Sequence, residues 1–149
     1  MPLNIFSAEN LDGRIDVSRA LGSERTAMYI ADLAPGRSSC PYHYEYEEEW
    51  LLVVDGTLVL RAPDGERTLA AGDLVCFPAG PAGAHKLMNR SDAPARTLMF
   101  SSARVPAVSV YPDSDKIGIW PGNEADEVIV PRAAGVPYDH GEEGWENVS

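Results

Sequence analysis

A chain of 149 residues is long enough to bury one hydrophobic core and short for two, so it reads as one domain over residues 1–149. A formal net charge of -11 excludes partners held through phosphate backbones, nucleic acid above all, and also an acidic membrane surface, because both need clustered Lys and Arg. The apolar fraction of 44% is ordinary for a globular protein, while 13 Gly and 12 Pro promise many turns and short elements and lean the chain toward all-β.

At the N-terminus, MPLNIFSAENLDG carries neither a basic stretch nor the apolar core of a leader, and no run further on approaches the length of a membrane span. With only Cys40 and Cys76, a disulfide scaffold is not indicated, and both thiols are expected as buried small apolar groups. The expectation is a cytoplasmic protein. Residues 1–26 are expected to add an edge strand and a short helical turn near Val17 to Leu21.

From Ala27 to about Arg104 the chain is a series of β-rich runs broken at close spacing. The runs are MYIADL (28–33), WLLVVDG (50–56), TLVLRA (57–62), RTLAAG (67–72), DLVCFPAG (73–80), AHKLMN (84–89) and RTLMFSS (96–102). The breaks are Ala34-Pro35-Gly36, Asp55-Gly56, Pro63-Asp64-Gly65, Ala71-Gly72-Asp73 and the stretch from Asn89 to Pro94. Gly supplies positive φ there, Asp and Asn tolerate it, and Pro presets the first turn position. Pro63-Asp64-Gly65 between two alternating runs is the clearest hairpin. From Pro106 onward Pro and Gly recur, and residues 105–149 are expected to form a wrapping arm ending in a frayed tail, His140 to Ser149, with His140 exposed.

The chemistry concentrates in two segments. In PGRSSCPYHYEYEEEWLLVVDG (35–56), His43 and Glu45 stand two apart and share a face if extended, and Glu49 follows within reach. In GDLVCFPAGPAGAHKLMN (72–89), a strand, a Pro/Gly loop and a second strand would return His85 to that group. Imidazole nitrogens with carboxylate oxygens suit first-row divalent metals. Each residue also has a plainer reading. The histidines would serve as satisfied core or rim groups, Glu45 as part of the solvated acidic run Glu45, Glu47, Glu48, Glu49, and Glu49 as the partner of an Arg or Lys. Tyr42, Tyr44, Tyr46 and Trp50 alternate with the candidate ligands and are expected on the opposite face. Phe77, Met88, Met99 and Phe100 are expected around the pocket or in the plain core, and Asn89 is expected to hydrogen-bond within the fold.

The two segments resemble the paired signature motifs of the cupin superfamily. Gly36, His43, Glu49 and Gly56 match the first, with one extra residue after Gly36 and with Glu45 where the family carries its second His. Gly72, Pro78, Gly80, His85 and Asn89 match the second, with two extra residues before His85. The resemblance implies an all-β jelly-roll barrel, the double-stranded β-helix of small single-domain cupins, with His43, Glu45, Glu49 and His85 on one divalent metal. Two neutral imidazoles and two carboxylates formally neutralise such an ion and favour Mn, Fe, Ni or Zn over Cu(I).

The resemblance further implies a metal-dependent enzyme acting on a small oxygen-rich molecule by dioxygenase, decarboxylase or isomerase chemistry. The alternative is a non-catalytic cupin that keeps a metal or small ligand. Three nearby titratable groups, Glu47, Tyr44 and Lys86, would separate these readings if one of them entered the pocket, and no Arg or Lys cluster adjoins the motifs to suggest a phosphosugar. A homodimer paired through edge strands and aromatic residues is the expected assembly.

Overall fold

The computed structural model describes residues 2–9, 13–102 and 104–142. In chain order the elements are β1 (Arg14–Asp16), α1 (Val17–Leu21), β2 (Thr26–Leu33), β3 (Tyr44–Glu45), β4 (Glu49–Asp55), β5 (Thr57–Ala62), β6 (Gly65–Ala70), β7 (Leu74–Phe77), β8 (Lys86–Met88), β9 (Ala95–Ser102), β10 (Ala107–Tyr111), β11 (Lys116–Trp120) and β12 (Val128–Pro131). All strand pairs are antiparallel.

One wall is a five-stranded sheet in the order β1-β2-β9-β4-β7. The facing wall is built from the sheets β6-β5-β8 and β12-β11-β10-β3. Two isolated bridges, Ser38↔Met88 and His43↔His85, knit these two sheets together through the segment that leads into β3. The result is a jelly-roll barrel.

Alternation explains why these runs are strands and which face each buries. Along β4, Leu51 and Val53 are fully buried between half-buried Trp50, Leu52 and Val54, and along β5, Leu58 and Leu60 do the same. These residues meet Leu33, Phe77, Leu87 and Ala95 in one apolar cluster between the walls. The hairpin expected at Pro63-Asp64 is present, with Ala62 opposite Gly65. Gly56, which ends β4, is fixed twice over: its φ is +79°, and a Cβ there would stand 2.8 Å from the Pro94 carbonyl oxygen and 2.9 Å from Ala95 Cα.

The edge strand and short helix expected at the N-terminus are present as β1 and α1. Asp16 caps the helix by accepting the Arg19 N–H at 2.9 Å, Gly22 ends it at φ 73°, and Val17, its first residue, is the one it buries.

The C-terminal arm is a correction. Residues 107–131 do not wrap the barrel as a loose segment; they form β10, β11 and β12 and extend the second wall through β3. AVSVY and KIGIW alternate as strands do, but the intervening Pro, Asp and Gly disguised the pattern. The ladder satisfies backbone groups that an arm would leave to water. His140 is exposed as expected, and the tail expected beyond residue 142 lies outside the described residues.

Candidate metal centre

His43 and His85 reach one point through a single backbone feature. The His43 N–H donates to the His85 carbonyl at 3.1 Å and the His85 N–H donates to the His43 carbonyl at 2.8 Å, so the two residues form a closed bridge and their rings stand 4.8 Å apart. Glu49 comes from the opposite wall at the start of β4, one step of alternation above Leu51. One ligand atom from each of His43, Glu49 and His85 lies within 4.8 Å of the other two. Gly83 makes the approach to His85 feasible, because a Cβ there would lie 1.8 Å from the Pro78 carbonyl oxygen.

Both imidazoles are prepared as ligands. His85 Nδ1 lies 2.9 Å from the Gly83 carbonyl and His43 Nδ1 lies 3.1 Å from the Pro41 carbonyl. A carbonyl oxygen only accepts, so each Nδ1 carries the hydrogen and each Nε2 presents a lone pair. His85 is fully buried and its Nε2 has no hydrogen-bond partner among the described residues. A buried nitrogen left this way is costly unless something binds it, and a metal cation is the group this donor set accepts. Phe77 stacks on the other side of His85 with centroids 3.8 Å apart, which holds the ring in place.

Electrostatics point the same way. Burial, reinforced by the Glu45 charge and opposed by Arg14, pushes the Glu49 carboxyl up to about 7. Burial pushes His85 down to about 4, with His43 adding to the effect and the Gly83 hydrogen bond opposing it. Although Glu49 Oε2 is 3.6 Å from His85 Nε2, the imidazole is therefore neutral at pH 7, and no Arg or Lys among the described residues forms an ion pair with this carboxylate, although the Arg14 charge reaches it.

Glu45 stands beside the cluster. Its Oε1 lies 3.9 Å from His43 Nε2 and accepts a 2.9 Å hydrogen bond from Ser109 Oγ, which in turn accepts the Trp120 indole N–H at 3.0 Å. Tyr111, also on β10, stacks against His43 with centroids 6.0 Å apart. Gly118 leaves room for the Trp120 ring, since a Cβ there would approach it to 3.0 Å. Sequence reasoning missed Ser109, Tyr111 and Trp120, although the alternation within β10 and β11 was the signal available.

The other expected residues divide. Asn89 does hydrogen-bond within the fold: its side-chain amide donates to the Leu33 and Ala93 carbonyls, both at 2.8 Å, and its oxygen accepts from Ser91. Phe77 and Met99 pack in or against the core, whereas Phe100 stacks on Trp50 and the Met88 sulfur meets Arg90. Cys40 lies beside His43, its Sγ 3.5 Å from Nδ1, but Cys76 is exposed, because β7 turns it and Leu74 outward. None of the three titratable candidates joins the cluster. Glu47 takes the Ser102 hydroxyl and faces Arg104, Tyr44 packs edge-on to Tyr46, and Lys86 alternates away from His85 to lie opposite Arg61. A cation does stand near the motif residues, Arg14 on β1, which no motif spacing signals.

Residues 29–101 match the family described as Cupin domain. Among solved structures, the chain is similar to one described as a sugar phosphate isomerase of the cupin superfamily from Silicibacter pomeroyi, at 29% identity and a TM-score of 0.75 over 87% of this chain and 83% of that one. It is also similar to a candidate sugar phosphate isomerase from Acidithiobacillus ferrooxidans, at 25% identity and a TM-score of 0.74 over 83% of this chain and 78% of the other. A Cupin 2 conserved barrel domain protein from Salinispora arenicola shares the fold at 22% identity and a TM-score of 0.54 over 68% of this chain and 85% of that one. No curated protein matches the chain.

Proposed function

The chain belongs to the cupin superfamily, and we propose that it is a metal-dependent isomerase acting on a small hydroxylated carbonyl compound of the sugar phosphate type. The single observation that carries the metal dependence is His85 Nε2, buried, without a hydrogen-bond partner among the described residues and in a cluster whose ligand atoms, with those of His43 and Glu49, lie within 4.8 Å of one another. His43, Glu49 and His85 would hold a divalent Mn, Fe, Ni or Zn ion, with Glu45 as the fourth ligand beside His43.

When bound, such an ion supplies Lewis acidity to a carbonyl or hydroxyl oxygen. The chain's own residues orient and tune that position. The Gly83 and Pro41 carbonyls lock the tautomers of the two imidazoles, Phe77 fixes the His85 ring, and Ser109 with Trp120 holds the Glu45 carboxylate. None of Glu47, Tyr44 and Lys86 joins the cluster, so what supports isomerisation over a non-catalytic module and over dioxygenase and decarboxylase chemistries is the likeness to two proteins described as sugar phosphate isomerases, over more than four fifths of this chain in each case.

The test is metal-loaded protein incubated in D2O with a panel of aldose and ketose phosphates, with deuterium entry beside the carbonyl followed by NMR. About one metal per chain and metal-dependent exchange that is absent in His85→Ala are the expected results. Stoichiometric metal with no exchange across the panel would replace the isomerase by a non-catalytic metal- or ligand-binding module.

A further inference from the structure

The chain is strongly acidic, and six arginines among the described residues are neutralised by a carboxylate partner. Arg14 and Lys116 form no ion pair among the described residues; each lies over a tyrosine ring, Arg14 at 3.6 Å from the Tyr29 centroid and Lys116 at 5.6 Å from that of Tyr111. Their placement follows from strand register.

On the first wall, Tyr29 pairs with Met99 and Met99 with Leu51, so Tyr29 lies on the face that carries Glu49, and Arg14, opposite Ala31, lies on that face too. On the second wall, Tyr44 opposes Val110, which brings Tyr111 alongside His43, and Lys116 pairs with Tyr111 on the same face. On each wall a ligand, a tyrosine and a cation with no ion pair among the described residues share one face; Arg14 stands in the row of Val53, and the seat of its guanidinium over Tyr29 turns its charge toward Glu49.

Cations in this position work against loading a metal ion, because like charges repel, and the Arg14 charge does reach Glu49. They also form no ion pair among the described residues. What they do offer is attraction for an anion that the net charge of -11 would otherwise repel. A cation resting on an aromatic face keeps its other side free to donate hydrogen bonds, and a guanidinium fork matches a phosphate in geometry.

We propose that Arg14 and Lys116 grip the phosphate monoester of a substrate whose hydroxyl or carbonyl oxygens reach the His43, Glu49 and His85 cluster. This rests on the metal-site and sugar phosphate reading above and adds to it the two residues that would recognise the phosphate.

The test compares sn-glycerol 3-phosphate with glycerol, both bearing a diol and only one an anion, titrated against metal-loaded protein by calorimetry or NMR. Glycerate serves as the carboxylate arm. Wild type is expected to bind the phosphate at least about tenfold more tightly than glycerol and more tightly than glycerate. Arg14→Met, which keeps an apolar stem on Tyr29, and Lys116→Met should each remove about tenfold of that preference, with metal stoichiometry, melting and glycerol binding unchanged. Arg14→Lys should retain most of it.

Equal binding of phosphate and glycerol, or a preference that survives both Met variants while metal remains stoichiometric, overturns the proposal and leaves the metal site standing. A wild type that takes no metal overturns the metal reading instead. The same titration of wild type and Arg14→Met without metal then decides the anion site by itself, a lost preference supporting it and an unchanged one ending it.

Discussion

The two ends of the barrel interior are built from the same strands and differ by one step of alternation. Toward one end β4 places Leu51 and Val53 inside, and toward the other it places Glu49; the chain around β8 places Leu87 in the first and His85 in the second. The apolar end is closed and interdigitated, and its side chains find every partner they need in one another. The polar end has its histidines satisfied at Nδ1 alone, and its carboxylate is held away from its usual pKa. Stability is concentrated at one end and binding capacity at the other, and this division can be tested.

The largest effects come from crossing the two ends. Leu51→Ala should cost about 2–5 kcal/mol in urea or thermal unfolding, by similar amounts with and without metal. His85→Ala should abolish stoichiometric metal, read by elemental analysis, and erase the metal-dependent gain in melting temperature while leaving the metal-free protein folded. Matching responses of the two variants in both assays would break the comparison.

Next in size is Gly83→Ala, which leaves every ligand in place yet drives a Cβ into the Pro78 carbonyl. The loop must shift, and metal affinity should fall by about 10–100-fold, measured by competition with a chelator.

The pH dependence of the metal-free protein sharpens the division further. Glu49 rises to about 7 from 4.5 on folding, so between those values the folded state holds more protons than the unfolded one, and this group's contribution to stability falls as pH rises. His85 drops to about 4 from 6.5, so between those values the folded state holds fewer protons, and its contribution rises with pH. The two slopes oppose one another between 4.5 and 6.5, and wild type should be nearly flat there. Glu49→Gln removes one slope, so its stability should fall by on the order of 2–3 kcal/mol as pH drops from 6.5 toward 4, followed by denaturant melts at each pH. A Glu49→Gln curve as flat as wild type would falsify the opposing-slope account.

The smallest effect belongs to the outer support of the site. Trp120→Phe removes one donor to Ser109 and should weaken metal binding only a few-fold with little change in melting, whereas Ser109→Ala, which breaks the bond to Glu45 itself, should do more.

Much of this was legible in the chain because it depends on local order. The runs 28–33, 50–56 and 57–62 appear as β2, β4 and β5 within a few residues at each end, since period-two burial and turn chemistry are written into neighbouring residues. His43, Glu49 and His85 could be singled out because Gly, Pro and Asn stand at fixed offsets around them. These neighbours serve the backbone: Gly56 makes a left-handed turn and Asn89 closes the loop to Leu33, while the clearance that Gly83 gives comes from outside the motif offsets. Glu45 could be placed beside His43, but its tie to Ser109 could not, because Ser109 lies 64 residues further on.

The amino-acid sequence by itself determined the all-β class, the two motif segments and the residue types able to hold a metal, because these follow from patterns a few residues long. Tertiary structure alone decided which groups share a space. It turned the C-terminal segment into three strands, brought Tyr111 and Trp120 to the site, sent Phe100 and Cys76 outward, and carried Arg14 to the Glu49 face. The reason is that sheet pairing joins residues by register across distant strands, and side-chain facing is set by those partners rather than by any neighbour along the chain.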